Sequence, residues 1–377
     1  MRDLKHFVAR CQLAGERTGR TLAGPLRTHY PGFLFGFPLP RDEVPIFNYH
    51  EVTTEELEPD LEYLRDNGYV TLSLDEFMRV SREKKRPRRC VMLTFDDAWL
   101  SFWTVALPLL RRYQMRAVLF APTHWMNGAG PDGLFMNWAQ LRDSAASGLV
   151  DVQSHAHRHA LVHTGAQLAG FATPETLARC HFFDWPMRHN HGNYELGPPA
   201  PGTPFYRATP LLSARRRFIE NAAVTRLCRE FVAEQGDDFF AQPPAGTRLR
   251  EYYARVSADR PGRWASEQEL ERERLTEFDR SRELFRAELG VTPRYFAYPW
   301  MLGNRRSLQL ARRAGLAAAF GVGVDFRAAR RRGLPLPVFG RLKGDWLRCL
   351  PGKGRVHALP VLAGRLRHVA SSHHLTH

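Results

Sequence analysis

Two acidic residues and two histidines have the types and spacing that metal-assisted hydrolysis requires. Asp96 and Asp97 end one apolar run of the sequence, and His155 and His159 follow another. One carboxylate and two imidazoles can hold a divalent ion while leaving coordination positions for water and substrate. The second carboxylate is then available as a base beside the ion. The four residues together predict a metal-dependent hydrolase.

The spacing of the histidines suggests how they reach one ion. His155 and His159 are four residues apart, and on a helical turn such residues share a face. His157 would then point away and be exposed. Each half of the site also has a purely structural explanation, because the Asp pair could cap the helix that follows and the histidines could belong to an ordinary polar loop. The presence of both halves favours a metal site.

The residues must be positioned by regular elements, and the sequence predicts strands that alternate with helices. Strands are expected at 44–49, 90–95, 117–121, 149–152, 294–298, 317–320 and 337–340. Helices are expected at 55–67, 72–80, 99–113, 137–147, 265–289 and 305–314. This alternation indicates an α/β fold with a parallel sheet.

The candidate residues all fall where a predicted strand ends, and catalytic groups of α/β barrels collect at those ends. His50 follows the first strand and could donate a proton to a leaving amine. Tyr298, Pro299 and Trp300 close a later strand, where a backbone N–H could stabilise an oxyanion or contact substrate. The alternatives are a structural histidine, a packing tyrosine and a turn proline.

Between the two predicted halves of the fold, the rhythm of strands and helices breaks down. Pro/Gly clusters and a stretch rich in His and aromatic residues indicate an insertion that could be a lid or a substrate-binding element. The expected organisation is a basic N-terminal leader (1–43), a first barrel part (44–160), the insertion (161–265), a second barrel part (266–345) and a basic C-terminal tail (346–377).

The charge of the chain narrows the classes of partner. The 377 residues include 54 Lys and Arg against 39 Asp and Glu, a formal net charge of +15. Such a surface favours anionic partners, and the alternative is an ordinary solvated basic surface. No nucleic-acid-binding motif accompanies the charge, so no nucleic acid is expected. Amphipathic patterns at residues 4–20 and 355–367 could rest on an anionic membrane surface or pack as ordinary helices.

The expected compartment is the cytoplasm. The five cysteines are scattered and form no CxxC pair, which fits a reducing environment. The first residues are charged and contain no long apolar segment, which argues against a secretory signal peptide. Together with the basic surface, these features predict a cytoplasmic protein that can lie at the inner membrane face.

The motifs resemble those of a known family. Thr94-Phe95-Asp96-Asp97 followed by His155-xxx-His159 is similar to the first two motifs of the polysaccharide deacetylases, carbohydrate esterase family 4. Residues 44–52 (VPIFNYHEV) resemble the opening strand of the family, and residues 296–300 (FAYPW) resemble its third motif. The resemblance implies a distorted (β/α)7 barrel with a large loop insertion that removes N-acyl groups, usually acetyl, from amino sugars.

The resemblance also implies a role for each candidate residue. Asp97, His155 and His159 would bind a divalent metal, often Zn2+, with Ni2+, Co2+ and Fe2+ as alternatives. Asp96 would be the base that activates water. The metal and the backbone near Tyr298 would hold the oxyanion.

Three departures from the family pattern affect these expectations. Ala98 stands where the family usually has Gly, and the arginine that often orients the base is expected to be missing. The usual Leu-x-Leu-x-His acid motif is also absent, and the resemblance of Gly344-Asp345-Trp346 to the fourth motif is faint. The branch similar to poly-N-acetylglucosamine deacetylases shares these losses. There the His after the first strand is the acid, which corresponds to His50.

The expected function is therefore metal-dependent hydrolysis of the N-acetyl group of an amino sugar in a glycan or a lipid- or nucleotide-linked precursor. Two alternatives remain at this stage. One is a deformylase or esterase that acts on a lipid-linked sugar. The other is a non-catalytic glycan-binding protein on the same fold.

Overall fold

A computed structural model describes most of the chain. The described residues are 32–39, 43–83, 87–128, 130–131, 133–190, 193–259, 262–321 and 333–371. The amphipathic helix predicted at residues 4–20 lies outside them.

The first part of the barrel contains five strands and four helices. The strands are β1 (Ile46–Tyr49), β2 (Val70–Thr71), β3 (Cys90–Asp96), β4 (Ala117–Ala121) and β5 (Val150–Ser154). The helices are α1 (Thr54–Asp66), α2 (Leu74–Glu83), α3 (Leu107–Tyr113) and α4 (Trp138–Ala146). A π-helical segment, Phe102–Ala106, leads into α3.

A segment with its own strands and helices follows. Its strands are β6 (Leu161–Phe171), β7 (Arg188–Asn190), β8 (Asn193–Glu195), β9 (Pro204–Pro210), β10 (Phe218–Ile219) and β11 (Arg263–Trp264). Its helices are α5 (Pro174–Arg179), α6 (Ala222–Glu234) and α7 (Ala245–Ser257).

The remaining elements complete the barrel. The helices are α8 (Glu267–Leu289), α9 (Arg305–Arg313) and α10 (Ala358–Ser371). The strands are β12 (Tyr295–Ala297), β13 (Ala318–Gly321), β14 (Val338–Gly340) and β15 (Leu342–Lys343). Short 3₁₀ turns lie at Pro299–Met301 and Gly344–Cys349.

The main sheet confirms the predicted distorted (β/α)7 barrel. Its strand order is β14-β13-β12-β5-β4-β3-β1-β15, every neighbouring pair is parallel, and β2 adds to β3. Only Arg341 separates β14 from β15, so the two edges of the sheet belong to one interrupted strand. Counted in this way, seven strands close the barrel. The distortion is greatest between β5 and β12, where Phe296 opposite Ser154 is the single paired position.

Aromatic and aliphatic side chains fill the barrel. The ring of Phe320 lies 5.3 Å from that of Phe120 and 5.4 Å from that of Phe339, measured between centroids, and Phe77 of α2 packs against the same group. Burial of each such ring stabilises the fold by about 2 to 3 kcal/mol. This core fixes the relative positions of the strand ends that carry the polar residues.

Helix ends agree with the sequence signals. Asn137 caps α4 by accepting from the N–H of Gln140, whose side chain bonds back to the N–H of Asn137. This reciprocal cap fixes where the helix begins, one residue later than predicted. Gly148 follows the helix with a φ of 69 degrees, a left-handed conformation that Gly adopts without strain.

The two predicted terminal segments are not separate from the barrel core. Phe33 and Leu34 of the predicted leader are buried, and so are Trp346 and Leu347 of the predicted tail. Arg355 donates to the carbonyl of Phe33 at 2.6 Å. Short apolar runs of the predicted leader and tail therefore contribute to the core, and the boundaries predicted at residues 43 and 345 stay predictions.

The segment predicted as an insertion folds as a compact unit, with bounds of 160–273 instead of 161–265. Strands β6 and β9 pair antiparallel, with two register shifts along β6. Cys228 of α6 and Leu249 of α7 pack in a separate apolar core with Phe239 of the turn between the two helices. A buried core of this kind distinguishes the unit from a structureless loop. Its predicted role as a lid or substrate element stays a prediction.

Candidate metal centre and active site

Three buried side chains converge on one point at the carboxyl ends of the barrel strands. Oδ1 of Asp97 lies 3.2 Å from Nε2 of His155 and 3.2 Å from Nε2 of His159. The ligand atoms of the three residues all lie within 4.8 Å of one another. Among the described residues, Oδ1 of Asp97 has no hydrogen-bond partner of acceptable geometry. Two nitrogens and one oxygen in this arrangement fit a divalent ion such as zinc.

The turn after β3 separates the two neighbouring carboxylates. Asp97 and Ala98 both have a left-handed backbone, with φ of 71 and 52 degrees. The N–H of the Trp99 indole donates to Oδ2 of Asp97 at 3.2 Å. This bond occupies one carboxylate oxygen and leaves Oδ1 directed at the two histidines. Trp99 therefore orients a metal ligand from an adjacent position.

The loop that carries the histidines is not a helical turn, which corrects the predicted geometry. Residues 155–160 have no helical structure, and Ala156 and His159 are left-handed with φ of 66 and 51 degrees. The two imidazoles meet because the loop folds back, not because of helical periodicity. His157 is half-buried and bonds to the hydroxyl of Thr123 at 2.9 Å, so the prediction that it is exposed is also wrong.

The first histidine is held in the orientation that a metal ligand needs. Nδ1 of His155 lies 3.0 Å from the carbonyl oxygen of Ala297 in β12. A carbonyl can only accept, so Nδ1 carries the proton and Nε2 is left with a lone pair directed at the cluster. The neighbouring strand thus selects the tautomer of His155.

Glu277 of α8 fixes the backbone of the loop that carries the two histidines. Its carboxylate accepts from the backbone N–H of His157 at 3.1 Å and of Arg158 at 2.8 Å. It also forms an ion pair with the Arg158 side chain, and both residues are at least nine-tenths buried. Three charge-assisted bonds to one carboxylate fix the backbone between the two histidines.

Arg341 orients Asp96, which overturns the expectation that the orienting arginine is missing. Its two terminal nitrogens lie 2.7 Å from Oδ1 and 2.7 Å from Oδ2 of Asp96, a buried bidentate pair. The same guanidinium donates to the side chain of Asn48 at 2.9 Å. Arg341 lies in the interruption between β14 and β15, and not in the third motif.

These charges set the protonation states of the ligands and of the base. Burial opposes ionisation of Asp96, but the attraction of Arg341 outweighs it and the pKa of Asp96 lies below its ordinary value. For Asp97, burial also raises the pKa, but His159 and His155 lower it well below the ordinary value. Burial lowers the pKa of His159 against the opposing effect of Asp97. Both carboxylates are therefore ionised at neutral pH, and His159 is neutral, as a metal ligand must be.

His50 follows β1 and lies close enough to both carboxylates to be affected by their charge. Desolvation of this half-buried ring lowers its pKa to about 4, although Asp97 and Asp96 raise it. His50 is therefore neutral at pH 7 before substrate binds. Its predicted role as the acid requires that it gain a proton during the reaction.

The residues that close β12 do not offer the predicted backbone donor. The N–H of Tyr298 donates to the carbonyl of Phe320 at 2.8 Å, and Pro299 has no N–H. Neither residue can supply the predicted backbone donor to an oxyanion. The Tyr298 hydroxyl bonds to Ser307 at 3.1 Å within the core. Trp300 does reach the site, because its ring centroid lies 4.1 Å from that of His159.

Backbone strain among the described residues is concentrated around this centre. Only one described non-glycine residue with positive φ, the helix-ending Gln114, lies elsewhere. The others follow the ends of β3, β5 and β12: Asp97, Ala98, Ala156, His159, Trp300 and Met301. Such conformations persist only where the surrounding structure enforces them, and they accumulate at functional sites.

Sequence reasoning missed two residues that organise the site. Arg341 follows a short apolar strand in the same way that Asp96 and His155 do, so its position at a strand end was an available signal. Glu277 lies in the middle of a long, highly charged helix with many acidic neighbours. No local feature of the sequence separates it from them.

Comparison with known proteins shows which family one segment of the chain resembles. Residues 83–177, which include the Asp pair and both histidines, match the family model described as polysaccharide deacetylase. This segment is therefore similar to the polysaccharide deacetylases. The predicted family is thereby confirmed on the segment that carries the metal cluster.

Curated relatives of this segment share a further description. The poly-β-1,6-N-acetyl-D-glucosamine N-deacetylase of Escherichia coli strain K12 is 30% identical over 168 residues, 41% of this chain and 24% of the relative. The protein of the same name from Staphylococcus epidermidis is 31% identical over 118 residues, 31% of this chain and 40% of the relative. The matched segments thus span less than half the length of either relative.

Solved structures share the fold of this chain. The BpsB deacetylase domain from Bordetella bronchiseptica matches with a TM-score of 0.50 and 20% identity, over 80% of this chain and 96% of that one. A de-N-acetylase from Aggregatibacter actinomycetemcomitans matches with a TM-score of 0.51 and 18% identity, over 85% and 100% of the two chains. At these identities the likeness establishes the barrel and nothing finer.

No helix among the described residues combines the length and the hydropathy that crossing a bilayer requires. The predicted cytoplasmic location stays a prediction.

Proposed function

We propose that this protein is a metal-dependent N-deacetylase that acts on N-acetylglucosamine units of a glycan or of a glycan precursor. The observation that carries the proposal is the cluster of Asp97, His155 and His159 beside the Arg341-bound carboxylate of Asp96. The names of the relatives support the sugar and the bond, since they describe removal of acetyl groups from poly-β-1,6-N-acetylglucosamine.

The proposed roles of these residues are metal binding and proton transfer. Asp97, His155 and His159 would hold the ion through Oδ1 and the two Nε2 atoms. When bound, a divalent ion supplies a Lewis acid that polarises the amide carbonyl and lowers the pKa of water. Asp96 is ionised and fixed by Arg341, so one of its oxygens can accept a proton from water as that water attacks the carbonyl carbon.

His50 is proposed as the acid that protonates the departing sugar nitrogen. It is neutral at pH 7 in the unliganded site because its pKa is about 4. The proton it delivers must therefore arrive during the reaction, and protonated Asp96, whose charge acts on His50, can supply it. Transfer from Asp96 through His50 to the amine would return both groups to their starting states.

The direct test is acetate release from oligomers of β-1,6-linked N-acetylglucosamine. Purified protein would be stripped with a chelator, dialysed, and assayed with and without added Zn2+, Co2+ or Ni2+. Acetate release that disappears on stripping and returns with a metal supports the proposal. A protein that binds the oligomer but releases no acetate with any of the metals would instead be a glycan-binding protein, and the proposal would fail.

The same assay distinguishes the acyl group and the bond. N-formyl and O-acetyl glucosamine derivatives would be compared at equal concentration. Faster release of formate than of acetate would favour a deformylase. Release from the O-acetyl derivative alone would favour an esterase.

A further inference from the structure

A second polar site lies on the barrel unit, formed by one face of α9 and the segment before β14. A cavity of about 600 Å³ is lined by four arginines and one glutamine of α9, together with Gly333, Leu334 and Pro335. We call this cavity the arginine groove. The α9 side chains in it are Arg305, Arg306, Gln309, Arg312 and Arg313.

The polar residues of the arginine groove form one stripe along the helix. At 100 degrees per residue, the positions i, i+1, i+4, i+7 and i+8 fall within an arc of roughly 120 degrees. The opposite face contains the buried residues Ser307, Leu308, Leu310 and Ala311, which attach α9 to the barrel. The buried face therefore packs α9 against the barrel independently of the exposed side chains of Arg305 and Arg312.

The placement of the arginines is unfavourable for the helix itself. Arg305 and Arg306 occupy the first turn, where the positive end of the helix dipole disfavours cations, and this turn has no acidic residue. Arg305 and Arg312 are exposed and form no ion pair with any residue that the structure describes. An anion in the groove would be attracted both by the guanidinium groups and by the N-terminus of α9.

The walls of the groove indicate the chemistry of the ligand. Guanidinium groups bind phosphate oxygens in a bidentate manner, and the volume is within the range of small-ligand sites. Leu334 and Pro335 are half-buried and add an apolar wall beside the charges. We propose that the arginine groove binds the phosphate group of a ligand that also has an apolar or sugar portion. This proposal does not depend on the deacetylase proposal, since no metal-site residue lines the groove.

The phosphate could come from an anionic lipid headgroup or from a soluble molecule, and the experiment separates these sources. The full chain would be tested by co-sedimentation with vesicles of phosphatidylcholine alone and of phosphatidylcholine with one-third phosphatidylglycerol. In a second arm, calorimetry would measure binding of inorganic pyrophosphate and of uridine diphosphate N-acetylglucosamine. Both arms would be run at low and at physiological salt, because exposed charges are screened at the higher ionic strength.

The test variant is R305Q/R312Q, and the matched control is R79Q/R82Q, which removes two exposed arginines from α2. Each arginine beside a phosphate contributes about 1 kcal/mol, so the test variant should bind about 30-fold more weakly. The control should change binding less than threefold. Gln309→Glu places a carboxylate in the middle of the groove and should also weaken binding while leaving the buried face of α9 intact.

Each outcome bears on the proposal. Selective loss of vesicle binding in R305Q/R312Q supports it and identifies a lipid headgroup. Selective loss of pyrophosphate or nucleotide-sugar binding supports it and identifies a soluble ligand. Equal losses in the test and control variants would show that diffuse positive charge is responsible, and would overturn it. Absence of binding by the wild-type protein in both arms would overturn it as well.

Acetate release from neutral oligomers should be unchanged in R305Q/R312Q, so failure of this proposal and failure of the deacetylase proposal can be told apart.

Discussion

Replacement of Glu277 by Gln tests how the histidine loop is held. The carboxylate accepts two backbone N–H bonds and pairs with the buried side chain of Arg158. Gln retains one acceptor oxygen, but it removes the charge and presents an NH2 group to donors. Loss of one partner of a buried ion pair costs about 3 to 5 kcal/mol, so the urea midpoint should fall sharply.

The effect on the metal site should be separate and measurable. The loop between His155 and His159 depends on these bonds, and loss of such supporting bonds weakens metal binding about 10- to 100-fold. Competition with a chromophoric chelator would measure zinc affinity, and urea unfolding of the stripped protein would measure stability.

Glu283→Gln on the same helix is the matched control. Its partner Arg280 is exposed, so the loss of stability should stay below about 1 kcal/mol and zinc affinity should not change. If E277Q bound zinc as tightly as the wild type, the claim that Glu277 positions the metal ligands would be refuted, whatever happened to stability.

Three further outcomes are expected. Trp99→Phe removes the donor to Oδ2 of Asp97 while keeping an aromatic ring, so zinc affinity measured by chelator competition should fall about 10-fold or more; an unchanged affinity would contradict the orienting role. His50→Asn should lower kcat for acetate release by a factor of about 10² to 10⁴ with zinc affinity unchanged, and a wild-type kcat would exclude His50 as the acid. Burial raises the pKa of Asp60 to about 6, against the effects of its bonds to Tyr49 and Arg348, so the folded state binds this proton more tightly than the unfolded chain. The stability of the wild type relative to Asp60→Asn should therefore be greatest below about pH 4 and fall by about 3 kcal/mol as the pH rises through 6; parallel stability curves in urea titrations would contradict this assignment.

Much of the barrel follows from local sequence patterns. The strand predicted at 117–121 has the observed bounds, and the other predicted barrel strands differ from the structure by one or two residues at either end. Continuous apolar runs that are bounded by polar residues mark buried parallel strands, and this signal is strong here. The two-residue strands β2 and β15 were missed because such short pairings have no periodicity of their own.

Site residues could be predicted where a reactive residue type stands at the end of a predicted strand. They could not be predicted where their role depends on a contact between distant segments of the sequence. Asp96, Asp97, His155 and His159 stand at strand ends and carry the motif. Arg341 reaches Asp96 across 245 positions of sequence, and only closure of the barrel brings the two together. The histidine loop was assigned the wrong local geometry because four-residue spacing also suits a folded-back loop with left-handed residues.

The most direct test of Asp96 as the base compares wild type with Asp96→Asn, recording zinc content and acetate release on the same preparations. Asn keeps the size of the side chain and can still contact Arg341, but it cannot accept a proton from water. We expect one bound zinc ion in both proteins and a kcat about 10² to 10⁴ lower in the variant. Wild-type turnover by Asp96→Asn, or turnover by wild-type protein that is unaffected by complete removal of metal, would contradict the proposed mechanism.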